Sequence, residues 1–491
     1  MEPVKKAHAT PWIILAVLVI GIFFLNPIYS IILSVLVGTT YLIKHFLPQA
    51  QTWYVMSMVR FTKQQKIFDL FVNHGKLLNW LTDIGLVIGF GAIAVDYLWL
   101  QKKKMWQRVL GFLAAAIILG AGVGFIFPIE NPIIPVSDIV VRVAFGLFGT
   151  AGFVLVSLFY SGLDIIQKIT QGKNACAGVA PVIPGVSLPN SPITVPLHAW
   201  LSFVIILIWH EASHGFVVRK LGMKLKSYGL LLLGFLPIGA FVEPDEKQLK
   251  ALEKKSPLDA LRLYAAGPAS NFYFFIGGTA LLAVLGMAIF TPFIAPALTE
   301  IHSNSVSGLE IVKVEENIVI CGTEFPAPAH NVLQPGDQIL AVNGASVHTT
   351  QEYFAEIVGK EQFELEIKRG EEVRTESFEP NDLGRIGINV KELPNENYTP
   401  PGWYEPLIQV FGFLAGFVGW LLILNFLVAV ANFIPVDPFD GGKMVKLLLF
   451  PYFGFLKMGE EDTKKFIARI FIVVLLVLIL INALPLVIVH P

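Results

Sequence analysis

The chain has 491 residues and a formal net charge of −1, with 54% hydrophobic and 15% charged residues and a mean hydropathy of +0.65. Soluble domains carry about 25% charged residues, so this composition excludes a disordered chain or a plain soluble enzyme. The near-neutral charge, without long basic runs, argues against nucleic acid as a partner. Two cysteines, Cys176 and Cys321, exclude a disulfide scaffold and a Cys-rich zinc module.

About nine segments are apolar enough to span a lipid bilayer, which takes about 20 mostly apolar residues. In chain order they are residues 12–25, 28–43, 84–100, 109–129, 143–163, 196–218, 263–292, 406–434 and 470–489. Asn26-Pro27 separates the first two, so one long kinked helix is the alternative there. Residues 45–80 are predicted to form a polar, helix-prone connector. The pattern therefore predicts a polytopic α-helical membrane protein.

Two further segments differ from these spans. Residues 228–242 are apolar but too short to span, and glycines and a proline interrupt them. They fit a buried loop or core strand, or a re-entrant β-hairpin that is shielded from lipid. Residues 300–392 regain charged residues, alternate like a strand at 363–367 and carry the turn signal Asn343-Gly344. They predict one inserted β-rich soluble domain.

Basic residues near the span ends predict the orientation. Arg219 and Lys220 follow the 196–218 span, and six Lys or Arg residues lie at 443–469, so both segments are predicted to be cytoplasmic. Nine spans then place the 300–392 domain outside a cell membrane. Cys176 and Cys321 also fall outside, where a disulfide between them is permitted. Lysines 102–104 disagree with this orientation, because they fall on the predicted outer side.

The first chemical signal is the sequence HEASH at residues 210–214, inside an apolar span. One helical turn separates His210 from His214, so both imidazoles lie on one face and can bind one Zn²⁺. The Glu211 carboxylate can take a proton from an activated water and return it to a leaving amine. An ionisable side chain at membrane depth costs about 2.5 kcal/mol or more. Three of them within five positions therefore predict a metal site.

A catalytic zinc ion usually has three protein ligands, so a third must come from another part of the chain. The spacings of two other zinc protease patterns would place it at Lys220 or near Gly234, which are unsuitable. The sequence NFIPVDPFDGG at 432–442 ends a span with two prolines and two glycines, which break the helix and permit a tight turn. Asp440 is the better candidate ligand and Asp437 the runner-up. A cytoplasmic helix cap explains this segment equally well when it is taken alone.

A third element is the sequence AGPASN at 266–271, at the start of the 263–292 span. Gly-Pro is ordinary at a helix N-terminus, and small residues let membrane helices approach closely. Asn271 is less ordinary, because a buried amide must find partners. It can orient a neighbouring metal ligand or hold the backbone of a substrate.

Taken in order, HEASHG, GAFVEPDE, AAGPASN and NFIPVDPFDGG resemble the site-2 protease family of intramembrane zinc metalloproteases. The resemblance covers about residues 180–450, and LQPGDQILAVNG at 333–344 is similar to a PDZ signature. It implies one zinc ion per chain. The implied zinc ligands are His210, His214 and Asp440, the implied catalytic acid/base is Glu211, and Asn271 and Asn432 match positions near the active site that bind or orient substrate.

The resemblance also implies four parts of the chain: N-terminal helices at 1–165, a first half of the catalytic core at 166–299, a PDZ-like domain at 300–392 and the second half at 393–491. It implies cleavage of single-span membrane proteins within or near their transmembrane segments, after a first protease has cut them. The active site is expected near the cytoplasmic side. The alternatives are a catalytically inactive membrane regulator, a zinc transporter and a membrane metalloprotease of the soluble-chamber kind.

Overall fold

The computed structural model describes residues 27–63, 65–126, 138–180, 184–187, 191, 193–320 and 323–488. The predicted span at 12–25 and Cys321 lie outside these residues. Cys176 is disulfide-bonded, and no cysteine in the described part of the chain is free.

Helices make up most of the described chain. In order they are α1 Pro27–Phe46, α2 Gly75–Val95, α3 Met105–Ile126, α4 Asp138–Thr170, α5 Ala199–Lys220, α6 Glu246–Lys255, α7 Pro257–Leu285, α8 Ala295–Ser305, α9 Thr350–Ile357, α10 Tyr404–Asn432, α11 Asp440–Leu449 and α12 Glu460–Ala483. Short 3₁₀ turns lie at Gln65–Asp69, Val72–His74, Phe450–Leu456 and Leu484–Leu486, and π-helical segments follow α2 at Asp96–Leu100 and α7 at Gly286–Ile294.

Seven helical segments of the described residues are long and apolar enough to cross a membrane. They are Gln65–Leu100, Met105–Val123, Asp138–Thr170, Ala199–Lys220, Pro257–Ser305, Tyr404–Asn432 and Glu460–Leu486. These segments coincide with the last seven predicted spans, so the multi-pass membrane architecture is confirmed. The predicted span at 28–43 corresponds to α1, of which Ile31–Phe46 is a shorter apolar helix. The total of nine spans stays a prediction.

Strands form in two regions. The first region contains β1 Gln51–Trp53, β2 Met56–Phe61, β3 Leu225–Leu233 and β4 Leu236–Pro244. The second contains β5 Val306–Val314, β6 Asn317–Ile320, β7 Thr323–Pro326, β8 Gln338–Val342, β9 Ala345–Ser346, β10 Phe363–Arg369, β11 Glu372–Phe378 and β12 Ile388–Pro394.

The described residues divide into two compact units, and the first contains the predicted site. It comprises the described residues of Met1–Phe112, Trp200–Phe274 and Ile423–Arg469. Within it, the Asp83 carboxylate of α2 accepts two hydrogen bonds of 2.8 Å from the Arg262 guanidinium of α7. A paired charge of this kind is tolerated among apolar helices because both ions are satisfied, and it fixes α7 against α2.

A four-stranded antiparallel sheet of order β1-β2-β3-β4 lies in the same unit. The predicted hairpin at 228–242 is present as β3 and β4, and Gly234 in its two-residue turn has a φ of 58°, which glycine adopts at low cost. The helical connector predicted at 45–80 is wrong in its first half, because β1 and β2 form there. Pairing with the apolar β3 decides this, since strand formation depends on neighbours more than on local propensity.

The second unit comprises the described residues of Leu113–Ala199, Phe275–Leu422 and Ile470–Pro491. Its β-rich part has a sheet of order β11-β10-β8-β5-β12, with β9 beside β8 and a separate β6-β7 pair. Leu309, Ile339 and Leu365 are among the fully buried residues of its own hydrophobic core. Burial alone would raise the pKa of Asp337, but hydrogen bonds from the Arg369 guanidinium at 2.6 and 2.7 Å and from the Gln334 N–H outweigh burial and lower that pKa from its ordinary value.

The two ends of this β-rich part lie next to each other. Val306 in β5 is paired with Pro394 in β12, and the Asn395 N–H donates a hydrogen bond of 2.9 Å to the Ser305 carbonyl. The β-rich insertion therefore begins directly after α8 and ends before α10, and its first and last residues are adjacent.

Candidate metal centre

Two histidines of α5 form the base of the site. His210 and His214 are one turn apart, and their Nε2 atoms are 3.2 Å apart. Their rings meet edge to face with centroids 4.9 Å apart. His210 is 4% exposed. The predicted placement of both imidazoles on one helix face is therefore present in the structure.

Asp440 brings a carboxylate to the two imidazoles from far along the chain. It is the first residue of α11, directly after the extended Phe439. Its Oδ2 atom lies 3.2 Å from Nε2 of His210 and 3.0 Å from Nε2 of His214. Asp437, the runner-up, is exposed and forms an ion pair of 2.9 Å with Lys446 instead. The geometry thus selects Asp440.

Gly441 and Gly442 are needed for close packing. Neither residue has a positive φ. A Cβ atom on Gly441 would lie 2.4 Å from the Ile434 carbonyl oxygen, and one on Gly442 would lie 2.3 Å from the Val436 carbonyl carbon. Their missing side chains let α11 begin directly against the turn that follows α10, which places Asp440 at the site.

The other ring nitrogens of the two histidines have hydrogen-bond acceptors. His210 Nδ1 donates to Asn271 Oδ1 at 2.6 Å, and His214 Nδ1 donates to the Leu263 carbonyl at 2.8 Å. A neutral imidazole carries its proton on one nitrogen, so these bonds place it on Nδ1 and leave a lone pair on Nε2. Two lone pairs and a carboxylate oxygen then converge on one point, which is unfavourable without a cation.

The spacing of the three converging atoms fits a zinc ion. Zinc bonds of about 2.0–2.2 Å in a tetrahedron place neighbouring ligand atoms about 3.3–3.5 Å apart. The observed separations of 3.0–3.2 Å are close to this edge length. Asp440 Oδ1 also forms an ion pair of 3.1 Å with Lys443, which favours the ionised carboxylate. The donor set is therefore two imidazoles and an anion, which suits a divalent metal.

Asn271 and Asn425 form a buried amide pair behind His210. Asn271 Nδ2 donates to Asn425 Oδ1 at 2.8 Å, and the two residues are 0% and 1% exposed. Asn425, in the middle of α10, was missed by the sequence analysis. Its signal was an amide within residues 410–431, which are otherwise apolar, and such a group at membrane depth indicates a polar partner.

Asn432 is placed differently from Asn271. Its Nδ2 atom donates to the Val428 carbonyl of its own helix at 3.0 Å. The structure gives no contact between Asn432 and the His-His-Asp cluster in the described residues, so a role near the active site stays a prediction.

Gly267 leaves space for the cluster. The sequence analysis placed Gly267-Pro268 at a helix N-terminus, and this is wrong because α7 begins ten residues earlier, at Pro257. A Cβ atom on Gly267 would lie 2.4 Å from Nε2 of His214 and 2.5 Å from Nε2 of His210. The absence of a side chain here therefore keeps the point of convergence open.

Glu211 lies between α5 and the sheet. It follows His210 directly, is half-buried, and its Oε2 atom accepts a hydrogen bond of 2.9 Å from the Val242 N–H of β4. The start of the same helix is tied to β4 by a bond of 3.0 Å from Trp200 Nε1 to the Pro237 carbonyl. The carboxylate is therefore held beside the cluster and next to the edge of the hairpin.

The fold and this cluster define a multi-pass membrane protein with a His-His-Asp metal centre built on a His-Glu helix. Residues 198–478, more than half of the chain, match Peptidase family M50. The chain belongs to this family, and the resemblance stated from the motifs is confirmed.

Three relatives are similar over part of their length. An uncharacterised protein of Methanocaldococcus jannaschii is 26% identical over 275 residues, covering 55% of this chain and 60% of that protein. A candidate zinc metalloprotease of Clostridium perfringens is 25% identical, covering 40% and 57%. A membrane-bound transcription factor site-2 protease homologue of Arabidopsis thaliana is 24% identical, covering 44% and 37%. The match thus spans less than two thirds of each relative.

Proposed function

We propose that this chain is an intramembrane zinc metalloprotease of the site-2 protease type. It hydrolyses peptide bonds within or near the transmembrane segments of single-span membrane proteins. The observation that carries the proposal is the convergence of His210, His214 and Asp440 beside Glu211. Membership of Peptidase family M50 supports the same activity.

His210, His214 and Asp440 would hold one zinc ion. Three protein ligands leave a fourth position, as catalytic zinc sites require. When bound, zinc supplies Lewis-acid activation of a water molecule and of the scissile carbonyl. The amide pair behind His210 and the Leu263 carbonyl behind His214 keep both Nε2 atoms unprotonated and aimed at the metal position.

Glu211 acts as the general acid and base. Its carboxylate accepts a proton from the attacking water and returns it to the leaving amine, so the proton ends on the new N-terminus. The bond from the Val242 N–H holds the carboxylate in place before substrate binds. Because Glu211 adjoins the sheet edge, a substrate lying along β4 passes close to it.

The free edge of β4 is the proposed substrate-binding strand. β4 pairs with β3 on one side, and no described strand pairs with its other side. The Val242 N–H points towards Glu211 and away from β3, so by alternation the N–H and carbonyl of Ala240 also point to the open side. An unwound stretch of a substrate helix can add to this edge through backbone hydrogen bonds.

The β-rich insertion is proposed to be a PDZ-like domain outside a cell membrane, with the active site near the cytoplasmic side. It acts as a size filter that admits substrates already trimmed by a first protease. The alternative function of this domain is to bind peptide termini and so recruit substrates.

The test compares purified wild type, Glu211→Gln and Asp440→Ala for bound zinc, by elemental mass spectrometry, and for cleavage of a panel of single-span substrates. We expect one zinc per wild-type chain. Glu211→Gln keeps zinc and loses cleavage, because the proton acceptor is removed and the ligands remain. Asp440→Ala loses both. Cleavage that survives Glu211→Gln would contradict a protease, and zinc flux that survives it without any cleavage would favour a transporter.

A further inference from the structure

A cavity of about 270 Å³ lies between α5 and one face of the β2-β3-β4 sheet. Its walls are almost wholly apolar, and Glu211 is one of the residues that line it. Ile208 and Ala212 on α5 lie on the same wall. The cavity therefore opens beside the proposed proton acceptor, in the first unit of the chain.

The sheet wall of this cavity is formed by Tyr228–Leu230 of β3 and Ala240–Val242 of β4. Tyr228 and Leu230 of β3 are paired with Val242 and Ala240 of β4, and all four line the cavity. Alternate residues of a strand point to the same side, so these side chains belong together. Leu231 follows Leu230 directly, so its side chain points to the opposite side of the sheet, and it does not line the cavity.

The N-terminal segment supplies the remaining wall. Phe61 of β2 is paired with Tyr228, their ring centroids are 5.6 Å apart, and Phe61 and Phe68 line the cavity. Both residues precede the part of the chain that matches the family. The family match therefore does not contain this wall.

The segment is anchored to the catalytic helix. The Phe68 ring packs against Gly215, where a Cβ atom would lie 2.4 Å from the ring. Asp69 accepts a hydrogen bond of 2.6 Å from the Arg219 guanidinium of α5. The wall is thus fixed relative to Glu211.

We infer that this cavity binds one large apolar side chain of the substrate, next to the scissile bond, and that Phe61, Ile67 and Phe68 form part of the pocket. The inference rests on the proposed function. A strand added to β4 lies beside Ala240 and Val242, so one of its side chains faces the same side of the sheet as the cavity. An apolar cavity of about 150 Å³ holds a benzene molecule, so this one has room for Leu or Phe. A charged side chain is disfavoured because Glu211 is the single charged residue among the described residues that line the cavity.

The first experiment measures specificity. A single-span model substrate is cut by wild type, the cleavage site is mapped by mass spectrometry, and the residues beside it are varied among Ala, Leu, Phe and Lys. We expect wild type to prefer Leu or Phe over Ala by about 10-fold or more in kcat/KM. Ala240→Leu fills the cavity and should make the kcat/KM values for the Ala, Leu and Phe substrates equal. An unchanged preference would overturn the pocket.

A matched pair on one strand provides the control. Leu230→Ala widens the cavity and should shift the preference towards Phe, whereas Leu231→Ala removes the same atoms from the opposite face and should leave the preference unchanged. On the N-terminal wall, Phe61→Ala is compared with Trp53→Ala, another half-exposed aromatic residue of the same segment. Equal effects of Leu230→Ala and Leu231→Ala would overturn the inference.

The second experiment does not depend on turnover. In the Glu211→Gln background, Leu230→Cys or Leu231→Cys is combined with a substrate that carries one cysteine beside the mapped site. The described residues of the wild-type chain contain no free cysteine that could compete for the substrate cysteine. We expect disulfide cross-linking to Leu230→Cys at least several-fold above Leu231→Cys. Equal cross-linking would overturn the pocket even if cleavage depends on Glu211. Absence of Glu211-dependent cleavage in wild type would overturn the proposed function itself.

Discussion

Gly267 controls whether two imidazoles and a carboxylate can meet around one ion. A methyl group there would occupy space within 2.5 Å of both Nε2 atoms. We expect Gly267→Ala to lose zinc and cleavage together, because backbone atoms of α7 must shift before the ligands can close. Zinc content of the purified variant measures this effect.

Gly277 provides the control for this substitution. It lies in the same helix, and a Cβ atom there would meet nothing within 4 Å. Gly277→Ala should therefore retain zinc. Its stability should equal or slightly exceed that of wild type, since alanine favours helix more than glycine does. Full zinc occupancy in Gly267→Ala would show that the helix relaxes easily and that the space is not required.

Asn271 orients a ligand through the nitrogen that does not face the metal. Its Oδ1 atom accepts from His210 Nδ1, and Asn425 holds it from behind. Losing a partner of this kind lowers metal affinity by about 10- to 100-fold, so we expect that loss in Asn271→Leu. A chelator competition titration measures it.

The neighbouring Ser270 is a suitable comparison for Asn271. Its hydroxyl donates to the Gly267 carbonyl within its own helix at 2.7 Å. Ser270→Ala should therefore keep zinc affinity within about twofold. An Asn271→Leu variant with wild-type affinity would remove the orienting role and leave the amide pair as packing between helices.

No described strand pairs with the outer edge of β4, where the Ala240 backbone groups can bind an added strand. Ala240→Pro removes one N–H from its open edge, and Ala240→Gly keeps that N–H. We expect the proline variant to lose most cleavage while zinc content stays normal, and the glycine variant to cleave substantially faster than the proline variant. Equal cleavage rates in the two variants would contradict strand addition. Zinc loss in the proline variant would instead indicate a general disturbance of the sheet.

The hairpin and its neighbours differ in how far local sequence predicts them. β3 and β4 are close in sequence and share a glycine turn, so the apolar pattern at 228–242 was sufficient to suggest a hairpin. β1 and β2 join β3 from more than 160 residues away. The sequence of residues 51–61 does not indicate that β3 is their partner. The prediction of a helix-prone connector was wrong for this reason.

The β-rich insertion can be removed as a unit because its ends meet. Joining Ser305 to Asn395 through a short Gly-Ser linker preserves a connection that is already within hydrogen-bond distance. If the insertion is a size filter, the shortened chain should keep its zinc and cleave substrates with long outer segments that wild type rejects. Gel analysis of a graded series of substrates measures this change. Loss of all cleavage with zinc retained would instead favour recruitment by this domain.

Local sequence was sufficient for the chemistry of the site. Spacing on one helix determined that His210 and His214 share a face, and the cost of ionisable groups in lipid indicated a metal. The spans followed equally from composition, since seven of them coincide with helices of the described chain. These features depend on neighbours within a few turns, which the sequence contains directly.

Tertiary structure decided which distant groups lie next to His210 and His214 of α5. Asp440 lies 226 residues after His214, and packing of α11 selected it over the equally acidic Asp437. The Asn425 partner, the space left by Gly267 and the wall provided by β2 likewise depend on contacts between remote segments. Such contacts arise from the combined packing of many side chains, and a single local pattern does not specify them.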